Sequence, residues 1–117
     1  MSPRIPSSRT PSPRTRANLF AALGDETRLK LLVRLSDGEQ QSIAQLTDTT
    51  KLTRQAVTKH LRVLERVRIV RCTRAGRESL FAFNPEPLDD LKQYLDLVSE
   101  RWDNALARLK SFVEDAE

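Results

Sequence analysis

Thr53-Arg54-Gln55-Ala56-Val57-Thr58-Lys59-His60-Leu61-Arg62-Val63-Leu64-Glu65-Arg66-Val67 is the stretch that decides the fold. Val57, Leu61, Leu64 and Val67 recur at intervals of four, three and three, which lays one apolar stripe along a helix. Thr53 stands where an N-cap belongs, its hydroxyl able to accept from an otherwise unpaired first-turn amide. The opposite face presents Thr53, Arg54, Gln55, Thr58, Lys59 and Arg62, while Leu52, Val57 and Leu61 are expected to hold the helix to a core.

Upstream, Ser42 can cap a short helix that turns Ile43 and Leu46 inward, and Thr50-Lys51-Leu52 is a tight connection to the helix at Thr53. Before it, Asp25 can cap a helix through Ser36 with Leu29, Leu32, Val33 and Leu35 on its buried side and Gly38 just beyond its end. Leu19, Phe20 and Leu23 give a further helical stripe ending at Gly24. Downstream, Ile69 to Thr73 and Ser79 to Phe83 have strand character, the second with Phe81 and Phe83 on one face. Arg74-Ala75-Gly76-Arg77 between them predicts a turn, hence a β-hairpin with basic flanks.

Asn84-Pro85-Glu86-Pro87 opens the last element, with Asp89 and Asp90 in its first turn, where a helix dipole favours anions. Leu88, Leu91, Leu95, Val98, Trp102, Ala105, Leu109, Phe112 and Ala116 then follow at alternating steps of three and four. A heptad seam of this length exceeds what a small domain needs for its own core, and the simplest partner is the same helix of a second chain. The expected architecture is mainly α with a small β-hairpin wing: a winged helix-turn-helix over residues 17–85 and a C-terminal dimerisation helix over 86–117. Residues 1–16, which hold four of the six prolines, four arginines and almost nothing apolar, are expected to be a disordered basic arm.

The net charge of +4 conceals a polarised chain. Residues 51–77 hold nine basic side chains against Glu65 alone, whereas residues 78–117 are net −6. That distribution suits a polyanion on one side of the molecule. In a helix-turn-helix the second helix enters the major groove, where Arg or Lys matches guanine, Gln matches adenine, and Thr meets a phosphate or a thymine methyl. Arg74 and Arg77 in the hairpin are placed for phosphates or the minor groove. No apolar run reaches the roughly 20 residues that cross a bilayer. With no signal-peptide pattern and a single thiol, Cys72, the expected compartment is the cytoplasm.

Phe20-Ala21-Ala22-Leu23-Gly24-Asp25-Glu26-Thr27-Arg28, Ala56-Val57-Thr58-Lys59-His60-Leu61-Arg62-Val63-Leu64 and Arg74-Ala75-Gly76-Arg77-Glu78 resemble the ArsR-type winged-helix repressors. The resemblance runs from residue 17 to about 90. It implies a dimer joined by the first and last helices, repression at a pseudo-palindromic operator on double-stranded DNA, and commonly relief by an inducer, which the residues do not identify. The implied dimer contacts are Leu19, Leu91, Leu95, Val98, Trp102, Leu109 and Phe112.

The chain departs from the metal-sensing members of that family. Ile43-Ala44-Gln45-Leu46-Thr47-Asp48 contains no thiol and the last helix no histidine, so no metal and no cofactor is expected. His60, at the family's usual histidine position, has two tasks open to it: a contact to DNA, or a half-buried ring packed under the helix. Cys72 alternates with Val70 and reads as a small buried apolar residue; a redox role would need a low-pKa thiol. Trp102 reads as a dimer-core residue, or as the wall of a ligand pocket. The only histidine lies on a helix given to DNA, and there is no Gly-rich phosphate loop, which argues against an enzyme. Two rivals remain: a winged-helix protein-interaction module, and a sequence-neutral DNA binder.

Overall fold

The computed structural model describes residues 12–115. In chain order it contains α1 (Pro13–Leu23), α2 (Glu26–Leu35), β1 (Gln41–Ser42), α3 (Ile43–Thr47), α4 (Arg54–Arg66), β2 (Val70–Ala75), β3 (Glu78–Phe83) and α5 (Glu86–Asp115). It is mostly helical with one small antiparallel sheet of order β1-β3-β2. The chain divides into two compact units after Pro87.

In the first unit, local chemistry sets the helix ends. Ser12 caps α1 by accepting from the Thr15 amide at 3.1 Å, and Pro13 fills a first-turn position where its missing N–H costs nothing. This corrects the expected disordered arm at its C-terminal end: Arg14 and Arg16 are helical, because a Ser-Pro pair that reads as a linker is also a helix start. Residues 1–11 lie outside the described residues. Asp25 caps α2, Ser42 and Gln45 form a reciprocal capping box on α3, and Thr53 caps α4 from 3.1 Å.

Leu31, Leu35, Leu46, Val57, Leu61, Leu64, Ile69, Val70 and Phe81 are almost wholly buried and form the core. Helix α2 is rotated from the expected face. Leu31 is buried, whereas Leu29 and Val33 are 48% and 69% exposed. Apolar residues lie on both sides of α2, so periodicity alone does not fix its rotation. The seat taken by Arg28, one turn before Leu31 and Leu32, does: its Nε donates to the Ala22 carbonyl at 2.6 Å. In α1, Leu19 and Ala22 are buried and Phe20 is on the exposed side. Leu52 keeps 37% of its surface exposed and is not part of the core, because it precedes the Thr53 cap and lies outside the helical stripe.

The hairpin is longer and tighter than the sequence suggests. Ala75 pairs with Glu78, leaving a two-residue turn at Gly76-Arg77, in which Gly76 takes φ +66°. Positive φ at the first central position alone is the pattern of a type II′ turn, which matches the twist of the strands. The short β1, which pairs Gln41 with Phe81 and Ser42 with Leu80, adds a third strand to the expected two.

The second unit is the helix α5. Over its 30 residues the apolar stripe is largely solvent-facing in the single chain. Leu95, Leu109, Trp102 (63%) and Phe112 (73%) are exposed, and Leu97, Leu106 and Val113 flank them. Leu91 is buried and Val98 half-buried. Ala116 falls outside the described residues.

Candidate nucleic-acid interface

Helix α3, the turn 48–53 and helix α4 form the helix-turn-helix. The turn is held by its own threonines: Thr49 Oγ1 donates to the Leu46 carbonyl at 2.7 Å, and Thr50 Oγ1 donates to Thr47 at 3.1 Å while accepting from the Leu52 amide. These bonds add to the backbone amides of Thr49 and Thr50, which donate to the same two carbonyls at the end of α3.

A helix advances roughly 100° per residue. On that wheel Arg54, Thr58, Arg62, Gln55 and Lys59 share one side of α4, and Val57, Leu61 and Leu64 the other. Arg54, Gln55 and Lys59 are exposed, and their side chains make no hydrogen bond or ion pair among the described residues. Thr53 Oγ1 is engaged as the cap, and Thr58 Oγ1 donates to the Arg54 carbonyl at 2.7 Å. Arg62 bonds Glu65 at 2.7 Å and stacks 5.6 Å from the centre of the Phe81 ring. The Glu65 carboxylate holds its guanidinium above the ordinary arginine value. Arg62 is thus tied toward β3 rather than free on the face of α4.

His60 falls with the buried side, not with the polar face expected to touch DNA. Its Nδ1 lies 3.2 Å from Arg28 Nη1 and 3.8 Å from Asp25 Oδ2, because its place on the wheel points it at the start of α2. In the single chain the ring is thus half-buried against the start of α2. In the wing, Arg74 and Arg77 are exposed and make no side-chain bond among the described residues, whereas Arg71 donates to Asn84 Oδ1 at 3.2 Å. Cys72 is half-buried. Among the described residues no group of three or more His, Cys, Asp or Glu side chains is placed to hold a metal. None of the described helices is long and apolar enough to cross a membrane.

Of the implied dimer contacts, Leu19 and Leu91 are already buried in the single chain and have little surface left to give a partner. Leu95, Trp102, Leu109 and Phe112 keep theirs. Asn84 carries a structural role that the sequence reading did not single out: its Nδ2 donates to the Arg68 carbonyl at 2.8 Å. An Asn directly before a Pro was the available signal.

A helix-turn-helix followed by a β-hairpin that carries two exposed arginines is a winged helix-turn-helix. A family model described as a helix-turn-helix domain matches residues 14–73. The uncharacterized HTH-type transcriptional regulator YuzN of Bacillus subtilis (strain 168) is 42% identical over 79 residues, spanning 62% of this chain and 86% of its own. Among solved structures, an ArsR-like transcriptional regulator from Rhodococcus sp. RHA1 superposes with a TM-score of 0.74 at 33% identity, covering 85% of this chain and 92% of that one. A homodimeric winged helix-turn-helix DNA-binding domain from Mycobacterium bovis shares the fold at 18% identity and a TM-score of 0.62, over 86% and 91% of the two chains. The chain belongs to the ArsR-type winged helix-turn-helix family of DNA-binding transcriptional regulators.

Proposed function

We propose that the protein is a homodimeric repressor that binds an inverted-repeat operator without sensing metal. The observation that carries this reading is the set Arg54, Gln55 and Lys59: three exposed side chains with donors and acceptors suited to base edges, on the N-terminal half of α4, with no bond to other described residues. Thr53 and Thr58 flank them and meet the backbone or a thymine methyl. Arg74 and Arg77 give the wing its phosphate or minor-groove contacts. The exposed Leu95, Trp102, Leu109 and Phe112 are the seam between two copies of α5. Two recognition helices related by a two-fold axis then address half-sites about 34 Å apart. Repression follows from occupying a promoter, and the cytoplasm is its place of work.

Selection of bound duplexes from a random library, followed by sequencing, tests the reading. An inverted repeat with half-sites one helical turn apart is expected. Enrichment of no motif would favour the sequence-neutral binder, and no binding to any duplex would favour the protein-interaction module.

A further inference from the structure

Helix α1 has no basic residue in its last turn. Arg28 supplies the cation there from α2: Nε donates to Ala22 at 2.6 Å and Nη2 to Ala21 at 3.3 Å. The remaining arm of the same guanidinium, Nη1, lies 3.2 Å from His60 Nδ1 in α4. Asp25 fixes the backbone at Arg28 by accepting from its amide at 3.0 Å. A guanidinium has only donors, so the bond requires Nδ1 to accept, which places the imidazole proton on Nε2. One planar fork therefore joins the end of α1, the start of α2 and the middle of α4.

Val57, Leu61 and Leu64 hold the middle of α4 by apolar burial, which is strong but not directional. The other directional ties lie toward its C-terminal end, where Arg62 stacks on Phe81 and Asn84 bonds the Arg68 carbonyl. A hydrogen bond from a rigid fork is directional. We infer that Arg28 and His60 form a latch that fixes the seat of α4, making His60 a positioning residue for DNA recognition that touches no DNA. This rests on the proposed role of the Arg54, Gln55 and Lys59 face, which lies across the helix from His60 and moves with it.

Three variants separate this role from packing. His60→Asn keeps an acceptor near the Nδ1 position, His60→Leu fills the space without one, and Arg28→Lys keeps charge but loses the fork. Each is titrated on a duplex selected by the wild-type protein and on a scrambled duplex, and the free protein is examined by amide NMR. His60→Leu and Arg28→Lys should lower the selected-to-scrambled affinity ratio about tenfold, the scale of one lost base contact, and shift the amide resonances of α4 and Gly24. Affinity for the scrambled duplex should hold, and His60→Asn should stay near wild type on every readout. A ring that only fills space predicts the reverse order, with Leu nearer to wild type than Asn, and that result overturns the latch. So does an α4 spectrum unchanged in both His60→Leu and Arg28→Lys. If the wild type itself shows no preference among duplexes, the reading of the Arg54 face fails, and the order of the two His60 variants in the amide spectra still decides the latch.

Discussion

The Nδ2 of Asn84 donates to the carbonyl of Arg68 at 2.8 Å, and Arg68 is the one non-glycine described residue with positive φ, at 68°. Around it the Arg68 amide donates to Glu65 at 2.9 Å and the Ile69 amide to Leu64 at 3.0 Å. That is a Schellman ending to α4, in which the left-handed position ordinarily falls to glycine. The Asn84 amide also donates to Ile69 at 2.8 Å, so this buried asparagine stitches the exit of β3 to the exit of the recognition helix.

Arg68→Gly should therefore raise stability. A left-handed side chain costs about 1–2 kcal/mol, and the extra unfolded-chain freedom of glycine takes back about 0.4–1 kcal/mol of that, so a gain of at most about 1.6 kcal/mol is expected. Asn84→Ala should cost about 1–3 kcal/mol by leaving the Arg68 carbonyl without its partner. Urea melts of the free protein check both. A loss of stability in Arg68→Gly would show that the long side chain earns its conformation elsewhere.

Asp25 gives stability a pH dependence. Its carboxyl is held below the ordinary value, chiefly by the Arg28 amide from which it accepts, with the Arg28 guanidinium adding attraction. A carboxyl lowered in the folded state stabilises above its unfolded value of about 4, and that contribution is lost as pH falls through the lowered one. Asp25→Asn keeps a capping oxygen but no charge. The wild type should melt above this variant at neutral pH, with the gap closing as pH drops below about 4. A gap independent of pH would contradict the account.

How much of this was legible in the sequence varied with how one-sided each element is. Helix α4 separates Val57, Leu61 and Leu64 from Arg54, Gln55 and Lys59 without ambiguity, and its bounds and cap were readable. Helix α2 has a broad apolar arc, Leu29 and Val33 at one side and Leu31 and Leu35 at the other, so its rotation is not fixed by periodicity, and the contact of Arg28 with carbonyls of α1 is a tertiary one no periodicity reports. His60 sits at the edge of the apolar arc, so its neighbours Arg28 and Asp25 are not readable from periodicity. The two residues of β1 are too few to show alternation, and Arg68 carries none of the glycine that would mark the end of α4.

Trp102, the single tryptophan, reports on association. It is 63% exposed in the single chain, so pairing of α5 helices should bury it, and emission should shift to the red on dilution below the dimer constant. Leu95→Asp with Leu109→Asp should give the red-shifted spectrum and a monomer in sedimentation. A folded wild-type monomer at micromolar concentration would contradict the proposed seam.

Metals should leave the protein unmoved. With Cys72 and His60 its only thiol and imidazole, addition of zinc, cadmium or arsenite should change neither melting temperature nor duplex affinity. Tight stoichiometric binding that releases DNA would reveal a site assembled mainly from carboxylates.

The measurement that reaches the central claim most directly compares two kinds of variant on selected and scrambled duplexes across a range of salt. Arg54→Ala, Gln55→Ala and Lys59→Ala remove side chains proposed to read bases, and losing a base contact should cost about 1–3 kcal/mol on the selected duplex alone. Arg77→Ala removes a wing cation and should weaken both duplexes alike, lowering the salt slope by about one phosphate contact. If all three α4 variants keep the wild-type preference for the selected duplex, this face is not the reader and the account fails.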